Sequence, residues 1–450
     1  MRTKQIFTVA VALLLVFTTG AYATPKIQQW KTPSGAQVLF VENHDLPMLD
    51  VDVAFPAGSG FDSTDKSGLA GLTRGLLELG SEGMNEDDIA RKMADIGAQM
   101  GGHFDADRSS VSLRTLSSKA ERDAALTIMA RVLQRPLFSE RVLVREKTRL
   151  ISALKEEETK PESIASKAFS KAVFGAHPYG LPSSGEIASV EKLQRSDLDN
   201  YYSTHYGAKS AVVALMGDIS RAEAESIAQN LTEQLPPGGA SSEIAQVVMQ
   251  SSASKLSIPH PATQSHILIG SPGVARNDAD YFPLYVGNYI LGGGGFVSRL
   301  MQEVREKRGM AYNVYSYFIP MQQPGAFQIG LQTKKEQANE ALKLVNITLR
   351  DFIEHGVTEK ELIAAKQNII NGFPLRIDSN KKILDYLSAI GFYHLPLTYL
   401  DDFPAKISKV TASEIRAAFK RKINPEILAT VVVGAPEEKN NAEATEGVNK

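Results

Sequence analysis

Two distant stretches of the chain read alike, and that likeness limits what it can fold into. They are DLDNYYSTHYGAKSAVVALMGD, residues 197–218, and EIRAAFKRKINPEILATVVVGA, residues 414–435. Each holds a helix-period segment, a short break, and an apolar run that stops at glycine, Gly217 or Gly434. An unbroken apolar run of this kind suits a strand buried on both faces. The elements before each stretch also recur in the same order, with a period too long for a solenoid. The chain is therefore read as a duplicated α+β unit. With 450 residues it exceeds what one hydrophobic core usually organises.

The first copy is expected within 24–234 and the second within 247–436. The Pro, Gly and Ser-rich LPPGGASSEIAQ (235–246) is expected to link them. In the first copy the patterning predicts strands at 36–43 and 49–58, helices at 68–79 and 85–96, and strands within 102–116. Helices then follow at 121–133, 139–158, 163–174 and 196–206, and a strand at 210–219. In the second it predicts a strand at 265–273 and helices at 281–291 and 298–307. Strands at 311–318 and 325–333, helices at 335–355 and 358–371, and the closing helix and strand complete it. The polar tail 437–450 is expected to be disordered.

Arg2 and Lys4 precede an apolar run from Ile6 to Phe17, and Ala21-Tyr22-Ala23 follows. This is the pattern of a secretory signal peptide, 1–23, cleaved after Ala23. An exported chain without a membrane anchor is expected, periplasmic in a Gram-negative cell. No cysteine is present, which excludes disulfides, thiolate chemistry and a lipoprotein anchor. Lys plus Arg (49) nearly balances Asp plus Glu (51), so nothing draws the chain generally to nucleic acid or to an anionic membrane.

Candidate chemistry concentrates in three places. The stretch GLAGLTRGLLELG, 68–80, carries Leu69, Leu72, Leu76 and Leu79 at helical spacing, but neither His nor Cys. GGHFDADR, 101–108, reads as strand, with His103, Asp105 and Asp107 on one face; a weak metal site and a plain solvated face are both open. LGGGGFVSRLMQEVREKRGMAY, 291–312, places Gly292, Gly293, Gly294 and Gly295 in a tight loop before a charged helix. It lacks the Lys-Ser/Thr of a phosphate-binding loop. An Arg299–Glu303 pair and a Gly309 C-cap are expected on that helix.

Taken in order, AGLTRGLLELG, IARKMADIGAQMGG, PLFSERVLVREKTRL, FGAHPYGLPSSGEIASV and the 291–312 stretch resemble the M16 family of zinc peptidases, the pitrilysin and mitochondrial-processing-peptidase type. The resemblance implies two homologous LuxS/MPP-like α+β domains, each a mostly antiparallel sheet packed against helices, forming half of a clamshell. Catalytic members carry His-x-x-Glu-His on the first helix and a later Glu ligand. Here the matching positions hold Gly71, Arg74, Gly75 and, further on, Ala153, with Glu156, Glu157 and Glu158 nearby. No metal or cofactor is thus expected on this chain.

The resemblance also matches Arg305 and Tyr312 to the Arg and Tyr that hold the substrate carbonyl in active members, and their R-x6-Y spacing agrees. It implies a non-catalytic subunit that completes the site of a homologous partner, the partner supplying zinc and the general base for a peptide substrate. The isolated chain could instead pair with its own copy. Gly101, Gly102, His103, Phe104 and Asp105 match the peptide-capturing strand, with Asp105 where relatives have Asn. Two other readings stay open: a peptide- or protein-binding scaffold without part in hydrolysis, and an independent peptidase with an unconventional metal site.

Overall fold

The structure, a computed structural model, describes residues 26–239 and 243–434. The expected signal peptide, linker residues 240–242 and the tail 437–450 lie outside the described residues.

The first sheet comprises β1 (Gln28–Lys31), β2 (Gln37–Glu42), β3 (Met48–Phe55), β6 (Gln99–Gly101), β7 (Ser109–Leu116) and β8 (Val212–Gly217), in the order β1-β2-β8-β3-β7-β6. A small hairpin, β4 (Gly80–Ser81) with β5 (Met84–Asn85), stands apart. The second sheet has the order β11-β12-β10-β13-β9, from β9 (Ser254–Ile258), β10 (Gln264–Val274), β11 (Ala311–Phe318), β12 (Gly325–Lys334) and β13 (Ala429–Val433). Strand directions agree as well. β2 is parallel to β8 as β9 is to β13, and the other neighbours from β8 to β6 and from β13 to β11 run antiparallel. The sequence duplication is thus a duplication of sheet topology, with β1 added to the first copy.

The helices follow the same plan. The first copy has α1 (Leu69–Leu77), α2 (Glu86–Asp95), α3 (Lys119–Gln134), α4 (Glu140–Glu157), α5 (Pro161–Phe174), α6 (Ile187–Val190), α7 (Arg195–His205) and α8 (Arg221–Thr232). The second has α9 (Tyr281–Asn288), α10 (Ala338–His355), α11 (Glu359–Gly372), α12 (Asn380–Phe392), α13 (Tyr399–Lys409) and α14 (Ala412–Lys422). Thr358 with Glu361 and Thr411 with Glu414 form capping boxes that fix where α11 and α14 start. The patterning did not foresee α8, α12, α13 or β9.

Each sheet buries one face under its own helices and the other under a helix of the opposite copy. Val38, Phe40, Val51, Val53, Val213 and Leu215 belong to the first copy's core. Leu39, Val41, Ala54, Val212, Ala214 and Met216 face the other way, into the large core of the second copy. There α12 packs on β8, β3 and β2. Gly391 permits the approach, since a Cβ there would stand 2.4 Å from Val212. Ser388 Oγ of α12 donates to the buried Asp52 at 2.7 Å. In exchange α5 lies on β10 and β13, with Phe169 and Val173 over Leu268, Val431 and Val433.

Candidate functional site

Helix α1 is anchored at its start by Asp62, whose carboxylate accepts the Gly68 N–H at 2.8 Å and the Ala70 N–H at 2.9 Å. Two otherwise orphaned helix-end donors are thereby satisfied. Leu69, Leu72 and Leu76 are buried in the first core, as their spacing requires.

Gly71, Gly75 and Ala153 do come together. They line one cavity of about 420 Å³ with Leu72, Leu76 and Phe104. None carries a donor atom for a metal. Gly71 sits in a confined place: a Cβ there would stand 3.2 Å from the Ser183 carbonyl oxygen, which would have to give by a few tenths of an ångström, and in ordinary contact with the Phe104 ring at 3.4 Å. Gly75, in contrast, has nothing within 4 Å of such an atom. Glu156 pairs with Lys160 at 2.7 Å, while Glu157 and Glu158 line a separate cavity of about 730 Å³. Among the described residues no group of three or more His, Cys, Asp or Glu is placed to hold a metal. The residues present therefore do not fit the zinc that the family's catalytic members hold.

Arg74, which the sequence resemblance matches to the general base, acts as a brace. Its Nε donates to the Ser110 carbonyl at 2.6 Å, and its Nη2 donates to the Gly101 carbonyl at 2.8 Å and to Glu78 at 2.7 Å. These bonds tie α1 to β7 and to the end of the edge strand β6. Gly102 makes room for the arrangement, as a Cβ there would fall 2.3 Å from Arg74 Nη2 and 1.9 Å from the Ser110 oxygen.

The segment after Gly101 corrects the strand expected there. β6 ends at Gly101, and 102–108 is a loop that meets β7 through the bridge Phe104–Ser109 and through the His103 N–H, which donates to Ser110 Oγ at 2.9 Å. Asp105 Oδ1 accepts the N–H groups of Asp107 and Arg108, both at 2.8 Å, and closes a tight turn. His103, Asp105 and Asp107 therefore share no strand face. His103 Nε2 lies 2.7 Å from Asp105 on the exposed side. Burial pushes the Asp105 carboxyl up, but the His103 hydrogen bond and the nearby Arg108 charge outweigh it and hold it below its ordinary value. Asp107 points inward and is fully buried. It accepts Tyr179 OH at 2.5 Å, Tyr393 OH at 2.8 Å and the Gln322 N–H at 2.7 Å. Burial raises its pKa while these donors oppose the rise. Asp107 thus joins the two copies. The patterning gave no sign of this, because Tyr179, Gln322 and Tyr393 are remote in sequence.

In the second copy, Gly292–Gly295 are only partly a loop. Tyr289–Gly293 forms a π-helical turn and Gly295–Val297 a 3₁₀ turn. Gly295 is the one of the four in the left-handed region, at φ +61. Gly292 is needed for contact instead, since a Cβ would stand 2.4 Å from Ser316 Oγ. The charged helix is a π-helical segment, Met301–Glu306. Arg299 does not pair with Glu303 as expected: it reaches Glu361 at 2.7 Å and Asp351 at 3.4 Å. Glu303 instead pairs with Lys307 at 2.6 Å and Arg308 at 2.8 Å.

That leaves Arg305. Its guanidinium lies 4.7 Å from the Phe296 ring centre and 5.3 Å from that of Tyr312, with Glu306 at 3.8 Å. Among the described residues no hydrogen bond holds it. Phe296 is 61% exposed and Tyr312 79%. The expected pair is therefore adjacent and open, on a face that contributes nothing to the cavity around Gly71.

The comparisons agree with this architecture. The insulinase (peptidase family M16) family matches residues 37–186, and the peptidase M16 inactive domain matches residues 192–369. A crystal structure described as a peptidase M16 inactive domain, from Pseudomonas fluorescens, is 37% identical with a TM-score of 0.87, covering 91% of this chain and 98% of that one. A Helicobacter pylori protein described as a non-peptidase homolog, YmxG, is 26% identical over 421 residues, 93% of this chain and 95% of its own. The crystal structure of a Helicobacter pylori protease shares the fold at 18% identity, with a TM-score of 0.84 and coverage of 91% of this chain and 100% of that one. The chain belongs to the M16 peptidase family and is of its non-catalytic type, with no metal-binding group among the described residues.

Proposed function

We propose that this chain completes the active site of a zinc-bearing homologue, presenting Arg305 and Tyr312 to the substrate carbonyl. The supporting observation is the pairing pattern of one short segment. Arg299, Lys307 and Arg308 each meet a carboxylate at 2.8 Å or closer, whereas Arg305 has only Glu306 at 3.8 Å and rests on two aromatic rings, one of them an exposed phenol. A permanent cation and a phenol O–H are suited to a carbonyl oxygen that gains charge during attack. In this reading the homologous partner holds zinc and the general base, and the two chains form an exported heterodimer that encloses a peptide. The likeness to M16 relatives and the signal-like N-terminus support that setting.

The test uses both purified chains. Peptide hydrolysis is expected only from the mixture, and Arg305→Ala is expected to lower its turnover without weakening association measured by sedimentation. Full turnover by Arg305→Ala at saturating partner would defeat the reading.

A further inference from the structure

The exchange of helices between the copies creates a pocket that belongs to neither alone. α5 crosses the second sheet and stops short of the edge strand β11, leaving a cavity of about 300 Å³ between them. Glu162, exposed in the first turn of α5, lines it, and the helix N-terminus there favours a carboxylate. The sheet supplies His266, Tyr315, Tyr317, Gln328 and Gln332. The two tyrosine rings are stacked nearly parallel, with centroids 5.6 Å apart and planes 4° apart. Tyr315 has a prepared seat: it lies across from Gly330, where a Cβ would meet its hydroxyl at 2.4 Å.

Charge defines what this pocket can take. Gln332 Nε2 lies 3.1 Å from His266 Nδ1; an amide nitrogen can only donate, so Nδ1 accepts and the neutral ring carries its proton on Nε2. Burial lowers the His266 pKa, favouring that neutral form. Glu162 is then the one formal charge among the named lining groups, and among the described residues no ion pair neutralises it. A carboxylate, aromatic faces and amide carbonyls suit a planar cation that donates in its plane and stacks on its faces. The cavity volume suits a single long side chain. The neighbouring strand indicates how that side chain would arrive. β11 is a sheet edge of eight residues, to which an extended peptide can add by main-chain hydrogen bonds. Tyr312 lies on the same strand.

We propose that this pocket is a specificity subsite for an arginine side chain of a peptide bound along β11. The proposal rests on the reading that the chain presents peptides, but it concerns binding by this chain alone, so its test requires no partner. Fluorescence anisotropy would compare labelled, otherwise identical neutral peptides carrying one central Arg or its uncharged isostere citrulline, using the full chain. The Arg peptide is expected to bind about tenfold tighter, as for one charge-assisted contact. Glu162→Gln, an isosteric change at an exposed first-turn position, is expected to erase the difference. Tyr315→Leu is expected to reduce Arg-peptide affinity severalfold. Equal binding of the two peptides by the unmodified chain, or a preference that survives Glu162→Gln, would overturn the subsite. Hydrolysis by the mixed chains is a separate readout. An Arg preference without hydrolysis would spare the subsite and remove the composite site; Arg305-dependent hydrolysis without the preference would do the reverse.

Discussion

Arg74, on the first helix of the first copy, and Arg305, in the π-helical segment of the second, each lie near an edge strand, yet their surroundings differ. Arg74 makes three hydrogen bonds, two of them to carbonyls of β6 and β7, and its side chain is 13% exposed. Arg305 has two ring faces and a loose carboxylate neighbour, and is 29% exposed. A guanidinium whose donors are spent on backbone carbonyls belongs to the fold. One whose donors remain uncommitted, beside an exposed phenol, costs its half of the molecule stability or contributes little, and is available to another molecule. The first copy commits its guanidinium to structure. The second leaves its own without a hydrogen bond among the described residues.

Paired substitutions test that contrast most directly. In the mixed chains Arg305→Ala should lower turnover by about 100-fold, the usual loss for one oxyanion-stabilising donor. The same change should alter folding stability by less than about 0.5 kcal/mol. Arg74→Ala should behave in the opposite way. It leaves the carbonyls of Gly101 and Ser110 without their donor, a loss of about 2–4 kcal/mol of unfolding free energy in urea titrations. Equal loss of stability in both variants would erase the distinction between brace and open cation.

A second prediction attacks the first copy from the other side. Gly71→His, Arg74→Glu, Gly75→His and Ala153→Glu together rewrite the metal motif. If the site were merely vacant, zinc should return. Because Phe104 and the Ser183 carbonyl stand against Gly71, and Arg74 braces β6, the rewritten chain should retain only substoichiometric zinc after desalting, by elemental analysis. It should also unfold more easily than the unmodified chain, by about 2 kcal/mol or more. One tightly held zinc per chain would show that the first copy kept its geometry and lost only its ligands.

Local signals were legible in the sequence, and contacts between distant residues were not. The closing helix–strand pairs stand out because β8 and β13 are buried on both faces and read as unbroken apolar runs. α1 shows its stripe because one side alone is buried. α12 does carry such a stripe, with Ile383, Leu384, Leu387, Ser388 and Gly391 buried at helical spacing and Lys381, Lys382 and Asp385 exposed, but Ser388 and Gly391 interrupt its apolar reading, and what the stripe packs against, the sheet of the other copy, is remote in sequence. The loop 102–108 imitated a strand because polar and apolar residues alternate in it; the Asp105 turn that breaks the pattern depends on one side chain folding back on two N–H groups. At the site, the sequence resemblance pointed to Gly71, Gly75 and Ala153, which the fold brings to one cavity, and to Arg305 and Tyr312, which it places side by side. The bracing of Arg74 depends on carbonyls of Gly101 and Ser110, and no residue-type pattern encodes a carbonyl's direction.

The smallest effect concerns how the first copy holds α1. Asp62 is buried, and burial pushes its carboxyl up to about 7, while the N–H groups of Ala70 and Gly68 pull it down. A carboxyl with an ordinary value of 3.8 when unfolded and about 7 when folded keeps its proton longer in the folded chain. Its contribution to stability is then fully present below about pH 4 and is lost as the pH rises towards 7. Thermal unfolding of the unmodified chain between pH 4 and 8, referenced to Asp62→Asn at each pH, should therefore show the unmodified chain losing a few degrees of relative stability as the pH rises. The reference variant removes this titration while keeping an acceptor for a helix-end N–H. If the relative stability rises with pH instead, the two N–H donors and the α1 terminus outweigh burial, and Asp62 acts as an anionic anchor at neutral pH. That result would sharpen the comparison in another way: the first copy would hold its vacated helix by a charge–dipole contact as well as by Arg74, and its conversion from site to scaffold would be electrostatic at both ends of α1.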